Sequence, residues 1–146
     1  MRPGHALPME ASLLIPHRAP MRLVDTLLSV HEGSGVVESV LPRESVMADG
    51  DGRIDEVAFV ELIAQSYAAF KGYLDRMGDK PPGEGFLVGI RHLEITGKAY
   101  AGDRLLTSMR TVTSFGGFAV VEGSVTRGDE TVASGIIKLW LVEDGR

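Results

Sequence analysis

Cysteine is absent from the 146 residues of this chain. That absence excludes disulfides, thiolate nucleophiles and zinc–sulfur sites. Basic clusters are missing as well: fifteen Lys and Arg are scattered among twenty Asp and Glu, leaving a net charge of −5. Nucleic-acid binders usually carry a basic excess, so the charge argues against that class. No apolar run approaches a membrane span, and the opening "MRPGHALPME" lacks the apolar core of a secretory signal. There are no internal repeats and no low-complexity segments. What remains is an ordinary globular balance, 44% hydrophobic and 24% charged, in a length that suits one domain over residues 1–146. These features predict a cytoplasmic protein whose residues 1–10 form a flexible tail.

One segment reads as helix. "VAFVELIAQSYAAF", Val57 to Phe70, contains a single charged residue, Glu61. Asp55 is a suitable N-cap, and Glu56 falls in the first turn, where negative charge favours the helix dipole. Gly72 and the "MGDKPPGEG" stretch predict a stop, with Lys71 to Met77 as a polar, fraying end. A helix so apolar must be wrapped by other structure.

The remainder reads as strands. "GSGVVESVLP" (Gly33 to Pro42) precedes the helix. After it come "GFLVGIRHLEITG" (Gly85 to Gly97), "DRLLTSMRTVTSF" (Asp103 to Phe115), "GFAVVEGSVTRG" (Gly117 to Gly128) and "ETVASGIIKLWLVED" (Glu130 to Asp144). Gly116–Gly117 and Gly128–Asp129 are hairpin signals. This order predicts an α+β fold, one long helix on a face of a curved antiparallel sheet.

Two features carry chemistry. In "IPHRAPMRLVD", Ile15 to Asp25, Pro16 and Pro20 stiffen the chain around His17. Glu61 is the other. An unpaired buried carboxylate costs several kcal/mol or takes up a proton, so an acid here is either held by a neighbour such as Gln65 or put to use. His5 falls in the expected tail, His31 beside the "EGSG" turn, and His92 on a strand where facing outward is the default. Asp49, Asp51 and Asp55 fit loop and cap roles.

These motifs together resemble the β-hydroxyacyl-acyl carrier protein dehydratases of FabZ type. "IPHRAPMRLVD" is similar to their PHR-x-P-x-x-L-V-D opening. "VELIAQSYAA" is similar to their helix segment E-A-M-A-Q, with Glu61 and Gln65 at matching positions. "FLVGIRHLEITGKAYAGDRLL" and "FAVVEGSVTRGDETVASGIIKLWL" resemble the later strand motifs. The resemblance covers most of the chain, in order. It implies a hotdog fold, a long central helix wrapped by an antiparallel sheet, paired into a dimer or higher homo-oligomer. The edge strand "GFLVGIRHLEITG" is where two sheets would join.

The chain departs from the pattern at one point. The family pairs the helix acid with a histidine in G-H-F-P fourteen residues earlier, and here that position is Met47. No histidine lies between His31 and His92. The ApeP-like branch of these dehydratases resembles the chain better, since it keeps the P-H opening and the helix acid without G-H-F-P. That resemblance shifts the candidate base to His17, with Glu61 as its acid. Arg18 would then point away, toward an acidic carrier protein. A structural histidine bonded to a backbone carbonyl is the alternative.

Removing water from a 3-hydroxyacyl thioester needs a base for the C2 proton, an acid for the C3 hydroxyl and help for charge on the carbonyl oxygen. His17 and Glu61 suit the first two. Backbone N–H groups at Val57 suit the third. Gln65, Phe59, Phe86 and Gly89 complete the expected substrate-binding set, with Ile63 and Leu87 as further walls. No metal or organic cofactor is required. The expected partner is an acyl carrier protein or a coenzyme A thioester. A hotdog thioesterase and a non-catalytic acyl-binding scaffold remain the alternatives.

Overall fold

A computed structural model describes residues 6–81 and 83–142. The chain enters as strand β1 (Met9–Glu10), antiparallel to β2 (Thr26–His31), with Met9 opposite Leu27. Residues 9 and 10 of the expected tail are strand instead, because Met9 finds a core to enter and is buried there. Residues 1–5, including His5, lie outside the described residues. A 3₁₀ turn, Ala11–Leu13, and the proline corner lead into β2. Strand β2 is an addition to the expected elements. Its "LLSV" core is a short apolar run that periodicity alone cannot assign. Pairing decides it, since Thr26 to His31 run antiparallel to β3 (Ser34–Ser39).

Helix α1 spans Val57–Met77, longer and less frayed than the composition of its last turns suggests. The Asp55 carboxylate accepts the Val57 N–H at 2.8 Å, capping the start as expected. Gly72 does not stop the helix. It lets the N-terminal segment press against it, since a Cβ at that position would sit 2.1 Å from the Leu14 carbonyl oxygen. Across it, Lys71 donates to Asp75 at 2.6 Å, one turn on, and beyond it Tyr73 is buried. These contacts carry the helix to Gly78, whose N–H bonds the Leu74 carbonyl.

The remaining strands are β4 (Glu84–Ile95), β5 (Leu105–Phe115), β6 (Phe118–Arg127) and β7 (Glu130–Val142). With β1 to β3 they make one seven-stranded antiparallel sheet in the order β1-β2-β3-β5-β6-β7-β4. Neighbours in sequence are not always neighbours in space. β3 pairs with β5 across the helix, and β4 pairs with β7 at the far edge. The β5–β6 turn has Gly116 and Gly117 both at positive φ, 53° and 86°, the conformation a two-residue hairpin turn demands.

The sheet buries one face under α1. Phe59, Ile63 and Phe70 enter the core with Val37, Val121, Val125 and Ile137. Each such side chain contributes about 1.5–3 kcal/mol on burial. Gly123 leaves room for the helix side chain packed on it, since a Cβ there would meet Ile63 at 2.7 Å. A long helix laid against one antiparallel sheet in this order is the hotdog fold.

Candidate active site

The corner around His17 is pinned on both sides. On one side Ile15 is buried, and its N–H bonds the Ala11 carbonyl at 3.1 Å. On the other, the Asp25 carboxylate accepts the Val40 N–H at 2.7 Å. Between them the N–H groups of Met21 and Arg22 both turn back onto the Arg18 carbonyl. Arg18 is exposed, as expected of a residue that points away. Its guanidinium also donates to the carbonyls of Ile15 and His17, at 2.8 and 2.9 Å, and braces the corner from the surface.

Gln65 ties this corner to the helix. It is only 2% exposed. Its oxygen accepts the Leu23 N–H at 2.7 Å. Its nitrogen donates to the Met21 carbonyl at 2.9 Å and to the Glu61 carboxylate at 3.0 Å. Both amide hydrogens are thus committed, and the side chain holds protein to protein. The expected substrate-binding role of Gln65 gives way to that of a clamp, because no N–H is left over to offer a ligand.

His17 and Glu61 line the same cavity, together with Gln65. The cavity has a volume of about 740 Å³, within the range of small-molecule sites. Both residues are half-buried, so Glu61 is less enclosed than its apolar surroundings in sequence suggest. The His17 Nδ1 atom is buried and has no hydrogen-bond partner among the described residues. A structural histidine would bond a carbonyl there, because leaving such a nitrogen unpaired costs about 1–3 kcal/mol.

Helix periodicity explains which residues join Glu61. Ala64, Gln65, Ala68, Lys71, Gly72 and Asp75 recur on its face and all line the cavity. Tyr67 lines it too, and burial pushes its phenol above the ordinary value. A hydrogen bond with Thr111 opposes that shift, and the Asp75 charge adds to it. Tyr67, Lys71 and Asp75 are additions to the expected site residues, although their spacing from Glu61 is legible in the sequence.

Four expected binding residues lie away from this cavity. Phe59 stands two positions from Glu61, on another side of the helix, and is buried in the core. Phe86 is exposed, because strand residues alternate faces and its neighbour Leu87 is the one that lines the cavity. Gly89 follows a register shift after Leu87, which breaks that alternation. Val57 is exposed at the helix start. The amides there are also taken: Val57 N–H bonds the Asp55 carboxylate, Ala58 N–H the Asp55 carbonyl and Phe59 N–H the Glu56 carbonyl. The expected carbonyl-polarising role of these amides therefore does not hold. Ile63, expected as a wall, is a core residue. Asp49 uses its carboxylate on the N–H groups of Asp51 and Arg53, inside its own loop.

The model of one family, described as ApeP dehydratase, matches residues 9–144. The chain belongs to the ApeP-like dehydratase family. It is accordingly a dehydratase, a lyase. Met47, at the place of the missing G-H-F-P histidine, packs partly buried against the core of this ApeP-like chain. Among solved structures, the dehydratase heterocomplex ApeI:P from Xenorhabdus doucetiae is similar at 18% identity, TM-score 0.86, with 93% of each chain covered. The PaaI protein from the phenylacetic acid degradation operon of E. coli is similar at 16% identity and TM-score 0.61, covering 78% of this chain and 80% of that one. A hypothetical thioesterase with coenzyme A from Streptococcus pneumoniae is similar at 13% identity and TM-score 0.63, covering 80% and 87%. At these identities the likenesses speak for the fold. None of the curated protein sequences compared matches the chain. Among the described residues of this ApeP-like protein, no helix is long and apolar enough to cross a membrane.

Proposed function

We propose that the chain dehydrates a 3-hydroxyacyl thioester to the trans-2-enoyl thioester, with His17 as base and Glu61 as acid. One observation carries this reading: His17, whose Nδ1 has no hydrogen-bond partner among the described residues, and the Gln65-held Glu61 line one cavity. His17 takes the proton from C2, the C2–H electrons form the C2–C3 double bond, and the C3–O bond breaks. Glu61 gives its proton to the departing hydroxyl, which leaves as water. Proton transfer from His17 back to Glu61 resets the pair. Imidazole is suited to the base because its ordinary pKa lies near neutrality.

The thioester is carried by an acyl carrier protein or coenzyme A in the cytoplasm. A second subunit sits on β4, the sheet's end strand, which has β7 on one side only. Phe86, Val88 and Ile90 on that strand are exposed, and an open apolar edge invites another strand. A second copy of this chain is the reading we favour. The similar ApeI:P protein is a dehydratase heterocomplex, so a different dehydratase subunit is the other occupant to test.

The test is a panel of 3-hydroxyacyl thioesters, on carrier protein and on coenzyme A, followed by mass spectrometry. Loss of water to give the enoyl thioester is the expected outcome. Release of the free acid would instead support the thioesterase alternative, which has a shared fold behind it and no observation of its own. No turnover of any panel member would leave the scaffold reading.

A further inference from the structure

The cavity wall changes character along α1. Just past Glu61 it is built from Ala64 and Ala68, whose methyl groups leave space, and from Leu87 and Leu139 of the sheet. Further along, the same helix face presents Lys71 and Asp75, joined at 2.6 Å. Asp75 is 6% exposed and lines the cavity, as does the buried Tyr67. The mechanism uses none of these three. Ala68 stands seven positions from Glu61 and Asp75 fourteen, about 10 and 21 Å along the axis.

We infer that Ala64 and Ala68 hold the acyl chain and that the Lys71–Asp75 pair, with Tyr67, sets the longest alkyl chain the site takes. The inference rests on the dehydratase reading, since His17 and Glu61 fix where the thioester end lies. Each methylene seated beside the alanines and leucines leaves water for apolar surroundings, a favourable step. A methyl end pushed against the pair strips the remaining water from the half-buried Lys71 ammonium and returns no hydrogen bond, an unfavourable step. Affinity must therefore rise with chain length and then break. Ala68 sets the width on the near side of the break, and the ion pair sets its position.

The experiment measures Kd by calorimetry for a length series of 3-hydroxyacyl pantetheine thioethers, which bind without turning over. The wild-type chain should show a maximum at intermediate length. Ala68→Leu should move that maximum to shorter chains. The double variant Lys71→Met, Asp75→Leu replaces the pair with apolar groups of similar size, a change proteins often tolerate. It should tighten binding of the longest chain by about tenfold or more, the scale of a methylene accepted or refused by an apolar pocket. Thermal melting checks that each variant folds, and if Ala68→Leu does not, the double variant decides alone. A double variant with the wild-type length profile would overturn the inference, as would wild-type affinity that climbs with length unbroken. Dehydration of the matching thioesters is measured in parallel. A broken length profile without turnover sinks the dehydratase reading only, and turnover with an unbroken profile sinks the length rule only.

Discussion

His17 and Glu61 are held by different means, and that separates what their loss should do. His17 is positioned by its backbone: the Arg18 brace and the buried Ile15 hold the corner whatever the ring does. His17→Ala should therefore leave the fold intact and slow dehydration by the roughly hundredfold to ten-thousandfold of a lost general base. Glu61 is positioned through its side chain, by Gln65. Glu61→Gln keeps an oxygen for that hydrogen bond but has no acidic proton, so turnover should fall comparably while substrate still binds. Steady-state rates beside a Kd for a substrate analogue check both. Near-full activity in His17→Ala would place the base elsewhere and leave the proline corner as architecture. At this scale the sequence singles out both residues, and the fold lines one cavity with them. The sequence is a poor guide to Gln65, because a glutamine's use depends on which backbone groups the fold brings to it.

Among the elements, the contact between α1 and the N-terminal segment is the most exacting. Gly72 reads as a helix stop in the sequence because glycine is a poor helix former. In the structure it is a helical residue without a Cβ where the Leu14 carbonyl comes close. Gly72→Ala raises helix propensity and at the same time drives a methyl into that carbonyl. The clash should win, destabilising the protein by about 1–3 kcal/mol, as overpacking usually does. Urea unfolding measures it. Equal or higher stability would mean that the segment over Gly72 moves aside freely. Because Leu14 and Pro16 also line the cavity, the same variant should weaken substrate binding.

For the molecule as a whole, the open side of β4 is where the proposed assembly can be tested. Along this strand every residue is exposed or half-buried, with Phe86, Val88 and Ile90 prominent. Charged residues on such an edge block strand pairing. Phe86→Lys with Ile90→Lys should shift the protein to a smaller species in light scattering, with circular dichroism unchanged. A wild-type chain that is already monomeric at micromolar concentration would refute the pairing.

Much of this is written in the chain itself. The helix with its Asp55 cap, the two glycine turns and the β-rich runs are local features, set by propensity and by the period of apolar residues. Their order, with the proline corner and the lone helix acid, is enough to match one family over most of the chain. Tertiary structure decided what local rules do not reach. Strand β2 exists because β1 and β3 pair with it, and β4 sits beside β7 because a sheet orders its strands by packing rather than by sequence. The cavity is of the same kind. Phe59 and Phe86 look like walls by chemistry, yet the rotation of a helix and the alternation of a strand turn them away, while the polar Lys71 and Asp75, which read as a fraying helix end, are turned in.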